Sequence, residues 1–469
     1  MNRTKIIATL GPASNNYDVI NQCILSGVNV FRLNMSHCHD RYEVEESIKT
    51  IRDIAAKRNI EIGILMDIAG PKIRVKNGSS DLTVNKGDIL TIGFENSDIE
   101  INMALEFESL GEGSKIKIDD GKFSFNVTKK ISNGQLEIKA ESDAKIISNK
   151  GVNFPNIVLD VPVLTSKDIN DVKLGIELDI DWFALSFVRS MNDINHIKDI
   201  LSDHNVNKPI IAKIEKPEAV QDLDSIIKVF DGILVARGDL GVEMGFEVVP
   251  VIQRKIVRTC HNYGKPIILA TQMLESMVNA NSPTRAEVND VAVAVEQRCD
   301  AVMLSAETTI GNFPIETIKM MHSIIIEVEN DIFKYSKYRG IRPSSKQEMD
   351  TQNSICYSAS RIANRLGINT IVAMTESGSS ALTISSCRPK ANIIAMSPNK
   401  VVCNKLGLIW GLNPILVEEF KNTDEMIEKV ENHLVSNKLL NQGEQYVIIA
   451  GVPVGVSGTT NLIRVETIS

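Results

Sequence analysis

Charged side chains follow several short apolar runs of the sequence, at the points where the strands of a parallel sheet would end. Glu215 comes shortly after the run 210–212, and Asp239 after the run 232–235. Two carboxylates at neighbouring strand ends could bind one cation, and a few carboxylates completed by water and phosphate oxygens suit Mg²⁺ or Mn²⁺. Two surface ion pairs would account for the same residues, so the spacing leaves both interpretations open.

A lysine precedes the first of these carboxylates. Lys213 lies two residues before Glu215, and residues i and i+2 of a strand share one face. A buried ammonium beside a cation site is unfavourable unless it meets an anion. Lys213 could therefore be directed at a phosphoryl group or an enolate. The alternative is a lysine that pairs with Glu215 alone.

Three polar residues alternate after the apolar run 28–31. Arg32, Asn34 and Ser36 would point to one side of the chain. The planar guanidinium of arginine suits a phosphate, and the other two side chains offer oxygens to a cation. A capped loop that leads into a helix after Asp40 explains the same residues without a ligand.

Two glycine- or hydroxyl-containing segments could bind anions through their backbone. The amides of 236–241 could face a carboxylate or phosphate, although the glycines do not follow the dinucleotide pattern G-x-G-x-x-G. Segment 375–381 follows an apolar run and opens a helix, where amides bind anions, although a simple N-cap turn is the commoner explanation. His37 and His39 are interpreted as loop residues, because no third metal ligand is near in sequence.

Eight short apolar runs predict the strands that would position these residues. Such runs are typical of strands buried on both faces of a parallel sheet, and helix-like segments lie between most of them. The pattern favours a (β/α)8 barrel, in which functional side chains lie at the carboxyl ends of the strands, over an open doubly wound sheet. The runs are 6–10, 28–31, 62–66, 182–185, 210–212, 232–235, 266–269 and 301–304.

The rest of the chain divides into two further predicted units. An insertion at 71–157 alternates with period two, and the Asp-Gly step in Asp119-Asp120-Gly121 predicts a hairpin in a small all-β lid. The polar stretch 335–352 resembles a linker, and short strands and helices beyond it predict an α/β domain. The expected domains are the barrel at 1–70 and 158–340, the lid at 71–157 and the C-terminal domain at 341–469.

The composition excludes several classes of protein. The 469 residues are 43% hydrophobic and 23% charged, which is typical of a folded chain of two to four domains. The net charge of −8 argues against binding to nucleic acid or to an anionic membrane. We also expect no membrane span and no signal peptide. Seven scattered cysteines without a C-x-x-C pair argue against disulfides or zinc and indicate a reducing cytoplasm.

Seven motifs, found in order along nearly the whole chain, resemble the pyruvate kinase family. They are TKIIATLGPAS (4–14), RLNMSH (32–37), AKIE (212–215), VARGDLGVE (235–243), ATQMLESM (270–277), PTRAEV (283–288) and GVPVG (451–455). This family combines a (β/α)8 barrel, a mobile β-barrel lid and a C-terminal effector domain, and the start of the chain resembles its short, bacterial-type members. The resemblance implies a cytoplasmic phosphotransferase that makes pyruvate and ATP from phosphoenolpyruvate and ADP, usually as a homotetramer.

The resemblance also implies roles for individual residues of the reaction site. Glu215 and Asp239 would hold Mg²⁺ or Mn²⁺, and Lys213 would face the transferred phosphoryl group and the developing enolate. The amides of 237–239 would bind the substrate carboxylate. The further residues placed near the substrate, with the last two in a proton relay, are Arg32, Arg74, Ala236, Arg237, Gly238, Thr271, Ser305 and Glu307.

Three more ligand sites follow from the same resemblance. The residues implied near the nucleotide are Asn34, His37, Arg74 and Asp120. Those of the monovalent-cation pocket are Asn34, Ser36, Asp67 and Ile68. Those of a site for a phosphorylated allosteric effector, a sugar phosphate or a nucleoside monophosphate, are Thr375, Glu376, Ser377, Gly378, Ser379 and Ser380.

Some positions depart from the family pattern. Ile68 replaces the usual threonine, whose carbonyl is the functional group, and Arg298 and Ala306 stand where glycine is usual. Lys72 stands where many members carry glutamate. Glutamate at this position resembles the K⁺-dependent members, and lysine resembles the K⁺-independent ones. A lysine ammonium supplies a fixed positive charge at the barrel mouth. We therefore expect that this chain does not require K⁺.

Two alternative functions compete with a kinase. One is a divalent-metal barrel lyase or aldolase acting on an enolpyruvate, against which the inserted lid and its hairpin argue. The other is a non-catalytic relative that only binds an effector, against which the retained charged positions argue.

Overall fold

The structure of the protein is a computed structural model, which describes residues 2–38, 40–76, 81–155, 157, 161–334, 340–342, 350–453 and 460–468. His39, most of the predicted linker 335–352 and the end of the motif 451–455 lie outside these residues. The chain begins with β1 (Lys5–Thr9), α1 (Tyr17–Leu25), β2 (Val30–Asn34), α2 (Arg41–Arg58) and β3 (Gly63–Ile68).

The inserted segment, called the lid below, is an all-β unit between β3 and the next helix. Its strands are β4 (Leu82–Val84), β5 (Ile89–Gly93), β6 (Ile99–Glu100), β7 (Lys115–Ile118), β8 (Phe123–Ser132), β9 (Gln135–Ala140), β10 (Ala144–Ile146) and β11 (Val152–Asn153). Six form a sheet in the order β11-β7-β8-β9-β5-β6, and β10 pairs with β4. The predicted hairpin is confirmed: β7 and β8 pair antiparallel around Asp119-Asp120-Gly121, whose φ angles are 57°, 52° and 82°.

Helices and strands then alternate. The helices are α3 (Ser166–Glu177), α4 (Ile194–Asp203), α5 (Pro217–Gln221), α6 (Leu223–Val229), α7 (Arg237–Met244), α8 (Val249–Tyr263), α9 (Arg285–Glu296), α10 (Ala306–Thr309) and α11 (Pro314–Lys334). Short 3₁₀ helices span Met191–Asp193, Phe246–Val248 and Glu275–Val278. The strands are β12 (Trp182–Leu185), β13 (Ile210–Ile214), β14 (Gly232–Ala236), β15 (Ile267–Ala270) and β16 (Ala301–Leu304).

Eight parallel strands close into a barrel in the order β1-β2-β3-β12-β13-β14-β15-β16. Closure occurs between β1 and β16, where Lys5 is paired with Ala301 and Ala8 with Leu304. The predicted (β/α)8 barrel is thus confirmed, and the open doubly wound sheet is wrong. In this architecture the carboxyl ends of all eight strands meet at one face.

The C-terminal unit is an α/β sheet with helices. It consists of α12 (Thr351–Leu366), β17 (Thr370–Met374), α13 (Ser379–Ser386), β18 (Asn392–Ser397), α14 (Lys400–Leu406), β19 (Leu412–Leu416), α15 (Thr423–Ser436), β20 (Gln445–Gly451) and β21 (Thr460–Thr467). The sheet order is β19-β18-β17-β20-β21, and only β21 runs antiparallel to its neighbour.

The C-terminal unit packs against the amino ends of the barrel strands. The Trp182 indole donates to the carbonyl of Lys405 at 3.0 Å. The buried side chains of Arg388 and Asp300 form an ion pair of 2.6 Å, and Asp300 directly precedes β16. The carboxyl ends of the strands, where polar residues were predicted to gather, therefore remain available for a ligand.

The helices around the barrel are amphipathic. Helix α8, for example, buries Ile252, Ile256 and Cys260 at intervals of four residues and exposes Arg254 and Arg258. This spacing places one apolar face against the strands. Nowhere in the described parts of the chain is a helix long and apolar enough to cross a membrane.

The departure at Arg298 has a local structural consequence. Helix α9 ends in a Schellman motif, in which the Arg298 amide donates to Val295 and the Cys299 amide to Ala294. Arg298 itself adopts a φ of 60°. Glycine is favoured at this position because a Cβ atom is strained in the left-handed region.

We predict that Arg298→Gly is more stable than Arg298→Ala by about 1 kcal/mol, because both remove the same side chain and only glycine removes the Cβ strain. Gly264, which ends α8 at a φ of 64°, provides the reverse change, and Gly264→Ala should lower stability by a similar amount. Chemical denaturation measures the difference. Equal stability of the two Arg298 variants would contradict this interpretation.

Candidate active site

A cavity of about 750 Å³ opens between the carboxyl ends of the barrel strands and the lid. This volume is within the range of small-molecule sites. Many of the residues singled out in the sequence line it: Arg32, Asn34, His37, Lys72, Asp120, Gly238, Asp239, Thr271, Ser305 and Glu307.

A buried carboxylate lies between two cations at the end of β3. Asp67, which is 1% exposed, accepts from Arg32 Nε at 2.7 Å through Oδ2 and lies 3.2 Å from Lys213 Nζ through Oδ1. Burial alone would raise the pKa of Asp67, but Lys213 and Arg32 outweigh this effect and lower it. Arg32 also donates to the Thr9 hydroxyl at 3.0 Å, which fixes the guanidinium against β1.

Lys213 is held by several groups. Its Nζ lies 3.0 Å from Glu215 Oε1, so the two residues share a face as predicted, and it donates to the Ser186 hydroxyl at 2.7 Å. Burial would lower the pKa of Lys213, yet the carboxylates of Asp67 and Glu215 outweigh this and raise it. The side chain is therefore a charged ammonium and does not pair with Glu215 alone.

Glu215 and Asp239 form the candidate cation site. Glu215 is 1% exposed, and its Oε2 accepts from the Phe187 amide at 2.9 Å. Burial raises the pKa of Glu215, the charge of Asp239 raises it further, and Lys213 opposes this. Asp239 lies in the first turn of α7, and its Oδ1 is 3.3 Å from Lys72 Nζ. Two mutually repelling carboxylates are a donor set that a hard divalent cation neutralises.

The residues present fit a cation that takes few protein ligands. Within the described ranges no group of three or more His, Cys, Asp or Glu side chains could hold a metal ion. A cation at Glu215 and Asp239 would therefore complete its coordination with water and substrate oxygens. Mg²⁺ accepts such coordination, because it usually keeps several waters and binds one or two carboxylates together with phosphates.

Gly238 and Thr271 connect two neighbouring strand ends. The Gly238 amide donates to Thr271 Oγ1 at 2.8 Å, and that hydroxyl donates to the Ala270 carbonyl at 2.6 Å. Thr271 adopts a φ of 68°, which is rare for a β-branched residue. Such conformations are found at functional sites, where the surrounding structure stabilises them.

The Arg237 side chain bonds the loop after β15, whereas the backbone of Arg237 begins α7. Its guanidinium donates to the carbonyls of Ala270 and Thr271 and pairs with Asp290 at 2.6 Å. It thus fixes the loop that carries Thr271. The backbone at Ala236, by contrast, forms the end of β14 and leads directly into α7.

Glu307 connects the loops that follow β15 and β16. This buried carboxylate accepts from the Ser305 amide at 2.7 Å and from the Leu274 amide at 3.2 Å. Ala306, where the family pattern has glycine, begins the short helix α10. Ser305 and Glu307 both line the cavity, which brings the two predicted relay residues together.

The residues of the predicted monovalent-cation and nucleotide sites are more dispersed. Asn34 Oδ1 accepts from the Ser36 amide at 3.3 Å, and Asp40 caps α2 by accepting from the Tyr42 amide, so the capped loop considered as an alternative is present. The Ile68 carbonyl accepts from Ser186 Oγ at 2.7 Å. Arg74 lies in the lid, where its guanidinium donates to the Asn149 carbonyl at 3.0 Å. Asp120 is on the exposed hairpin turn, at the cavity.

The effector loop lies in the C-terminal unit, at the start of α13. Thr375 Oγ1 accepts from the Gly378 amide at 2.9 Å, and Gly378 has a φ of 91°. Ser379 accepts from the Gln352 amide group, and the Ser380 hydroxyl contacts that of Thr460 at 2.5 Å. A turn therefore precedes α13, although Gly378, the N-cap residue, makes no side-chain cap, and the Ser377 side chain is exposed in this turn.

Sequence reasoning missed two residues of this site. Ser186 contacts Lys213, Asp67 and the Ile68 carbonyl, and its position directly after β12 was a usable signal. Glu275 also lines the cavity; burial and the charge of Glu307 raise its pKa. Nothing in the spacing of Glu275 distinguishes it from the surrounding loop.

Comparison with known proteins gives one family for the whole chain. The family model described as "pyruvate kinase, barrel domain" matches residues 1–318, and "pyruvate kinase, alpha/beta domain" matches residues 353–466. The chain is 40% identical to "Pyruvate kinase 2" of Synechocystis sp., over 99% of this chain and 79% of the relative. It is 39% identical to "Pyruvate kinase" of Methylorubrum extorquens, over 100% and 98%, and 40% identical to that of Bacillus licheniformis, over 100% and 81%.

Proposed function

Because the chain belongs to the pyruvate kinase family and is a phosphotransferase, we propose a role for its site residues in the transfer of a phosphoryl group from phosphoenolpyruvate to ADP. The observation that supports this proposal is the position of Lys213, whose Nζ is buried 3.2 Å from Asp67 and 3.0 Å from Glu215 at the carboxyl ends of the strands. Membership of this family favours a kinase over the lyase and the non-catalytic relative.

Glu215 and Asp239 would hold Mg²⁺ or Mn²⁺. When bound, a divalent cation neutralises phosphoryl oxygens and orients them for in-line transfer. The two carboxylates supply the negative charge for this ion, and the amide of Phe187 fixes the orientation of Glu215.

Lys213 would donate to the phosphoryl group and then to the enolate oxygen. Asp67 keeps the ammonium charged and oriented, and it holds Arg32 beside the substrate phosphate in the same way. Phosphoryl transfer depends on positioning and charge neutralisation rather than covalent help, which these contacts supply. The reaction leaves the enolate of pyruvate, which takes up a proton at carbon to become pyruvate.

The other end of the cavity would bind the substrate carboxylate and deliver that proton. The amides of 237–239 lie at the start of α7, where backbone N–H groups favour an anion. Thr271 is bonded to the Gly238 amide and so would lie beside the carboxylate. Ser305 and Glu307 would relay the proton.

ADP would bind between the lid and the barrel. Asn34, His37 and Asp120 line the cavity on this side. Arg74, in the lid, would approach the nucleotide phosphates.

The first test of this function is a coupled assay with phosphoenolpyruvate, ADP and Mg²⁺. We predict that Lys213→Met folds and binds phosphoenolpyruvate but loses about 10²–10³-fold in kcat, because one transition-state donor is worth about 3–4 kcal/mol. Lys265→Met is the matched control. Lys265 is a partly buried lysine that bonds the Phe230 carbonyl before β15, away from the cavity, and its variant should retain turnover. Near-normal turnover by Lys213→Met would exclude the role.

We further propose that the enzyme does not require K⁺. Lys72 lines the cavity with its Nζ 3.3 Å from Asp239 and 3.9 Å from Asp120, so it supplies a positive charge close to the phosphates. Within the monovalent-cation pocket, Asp67 is already paired with Arg32 and Lys213. These contacts support a site whose charge is balanced by side chains instead of by a bound monovalent ion.

This proposal is tested by the enzyme assay in a buffer that contains an organic counter-ion and neither Na⁺ nor K⁺. Adding K⁺ at constant ionic strength should activate the wild-type protein by less than tenfold, whereas Lys72→Glu should acquire a K⁺ dependence. Lys76→Glu is the charge-matched control, because Lys76 pairs with Glu100 within the lid. Tenfold or greater activation of the wild type would show the proposal to be wrong.

A phosphorylated effector is proposed to bind at 375–380. The amides at the start of α13 and the exposed Ser377 hydroxyl support this site. Glu376 opposes an anion there; burial and the charge of Glu419 raise its pKa. Binding should therefore depend on the charge at this one position.

We predict that glucose 6-phosphate or AMP changes the thermal stability of the protein and its affinity for phosphoenolpyruvate. Glu376→Gln should strengthen the response, because it removes a negative charge from the loop. Glu428→Gln, at an exposed position of α15, should leave the response unchanged. Loss of the response in Glu376→Gln, or no response to sugar phosphates and nucleoside monophosphates in any variant, would contradict the proposal.

Membership of the family also supports proposals on the oligomeric state and the cellular compartment. We propose a homotetramer, which light scattering measures directly. All seven cysteines are described, and each is a free thiol. This state supports a reducing compartment, and we propose the cytoplasm.

A further inference from the structure

Helix α7 carries a second acidic residue on the same side as Asp239. Glu243 lies four residues after Asp239, and residues at this interval share a helix face. Glu243 is 2% exposed, and its Oε1 accepts from Lys216 Nζ at 2.7 Å. Lys216 directly follows Glu215 in the chain. The ion pair therefore joins the segment that carries one proposed cation ligand to the helix that carries the other.

The lid contacts the same point. Asn153 of β11 donates to Glu243 Oε1 at 2.8 Å, and Lys117 of β7 donates to the Val242 carbonyl at 2.7 Å. Asn153 and Lys117 are paired in register across β11 and β7. Two adjacent lid side chains thus bind two adjacent residues of α7. We call Lys117, Asn153, Lys216, Val242 and Glu243 the Glu243 cluster.

The second carboxylate oxygen of Glu243 has an unusual environment. Oε2 is buried and has no hydrogen-bond partner in the described part of the protein. A buried, unsatisfied carboxylate oxygen is unfavourable, so fold stability alone gives little reason for a carboxylate at this position. Because one oxygen of Glu243 receives both the barrel lysine and the lid asparagine, its position depends on both elements.

We propose that Glu243 is a positioning residue, which holds Glu215 and Asp239 at the separation that a divalent cation needs and couples this separation to docking of the lid through Asn153. The inference rests on the proposed cation role of Glu215 and Asp239. Glu243 touches neither substrate nor cation. It acts through Lys216 on one ligand and through the backbone of α7 on the other.

The test measures Mn²⁺ binding to the full chain without substrate, by electron paramagnetic resonance. Glu243→Gln and Lys216→Met should each weaken Mn²⁺ binding by about 10–100-fold, the range for groups that orient metal ligands. Glu247→Gln is the matched control, because Glu247 is an exposed carboxylate just beyond α7 and the change removes the same charge. Its Mn²⁺ affinity should remain within twofold of wild type.

The lid half of the proposal has a separate readout. Asn153→Ala should keep the Mn²⁺ affinity of the free protein within threefold but lower kcat at saturating substrate and cation by at least tenfold. The fold-loss of kcat in the double variant should be smaller than the product of the losses in Glu243→Gln and Asn153→Ala, because the two side chains share one contact. A purely structural role would lower thermal stability without this division between affinity and kcat.

The outcomes are distinguishable. Wild-type Mn²⁺ affinity in both Glu243→Gln and Lys216→Met would overturn the positioning role, and a wild-type kcat in Asn153→Ala would overturn the coupling to the lid. If Glu243→Gln does not fold, Lys216→Met, which keeps the Asn153 contact, decides the first question. Failure of the proposed function is recognised independently, since Glu215→Gln and Asp239→Asn would then bind Mn²⁺ as wild type does.

Discussion

The burial of one carboxylate between two cations determines how the carboxyl end of the barrel is built. Asp67 lies at 1% exposure and is paired with both Arg32 and Lys213. Removing a charge from water is costly unless partners compensate for it, so each of the three buried charges is stabilised by the others. Each comes from a different strand, β3, β2 and β13, and the barrel is the structure that brings these strand ends together. Charge compensation and strand closure therefore depend on each other.

This arrangement leaves one ammonium group and two carboxylates that can interact with a ligand. Lys213 is shared by Asp67 and Glu215, while Asp239 raises the pKa of Glu215 through repulsion. The site thus carries a charged donor on one side and an incompletely neutralised carboxylate pair on the other. A ligand that combines a phosphate with a divalent cation complements both. The neutral alternatives, in which Glu215 is protonated or Lys213 deprotonated, are opposed by the short contact between them.

The sequence predicted the parts of the structure that depend on local pattern. The barrel strands follow from their apolar runs, and the shared face of Lys213 and Glu215 follows from the period of a strand. The hairpin at Asp119–Gly121 follows from its turn residues. Other features depend on contacts between distant segments and have no local signal. The Arg237 guanidinium turns to Ala270 and Asp290, and Glu243 meets Asn153 of the lid, 90 residues earlier.

Three barrel strands connect the C-terminal unit to the site at their opposite ends. Strand β1 begins at Lys5, which donates to the Leu412 carbonyl, and ends at Thr9, which bonds Arg32. Strand β12 begins at Trp182, bonded to Lys405, and is followed by Ser186, bonded to Lys213.

Strand β16 is preceded by Asp300, paired with Arg388, and followed by Ser305 at the cavity. Each strand has four or five residues, about 13–17 Å, and extended backbone in a closed parallel barrel cannot lengthen or slip without breaking its ladder. A displacement of the C-terminal unit along the barrel axis would therefore move Thr9 and Ser186, and through them the orientation of Arg32 and Lys213. The strands that build the site are therefore the same strands that contact the C-terminal unit.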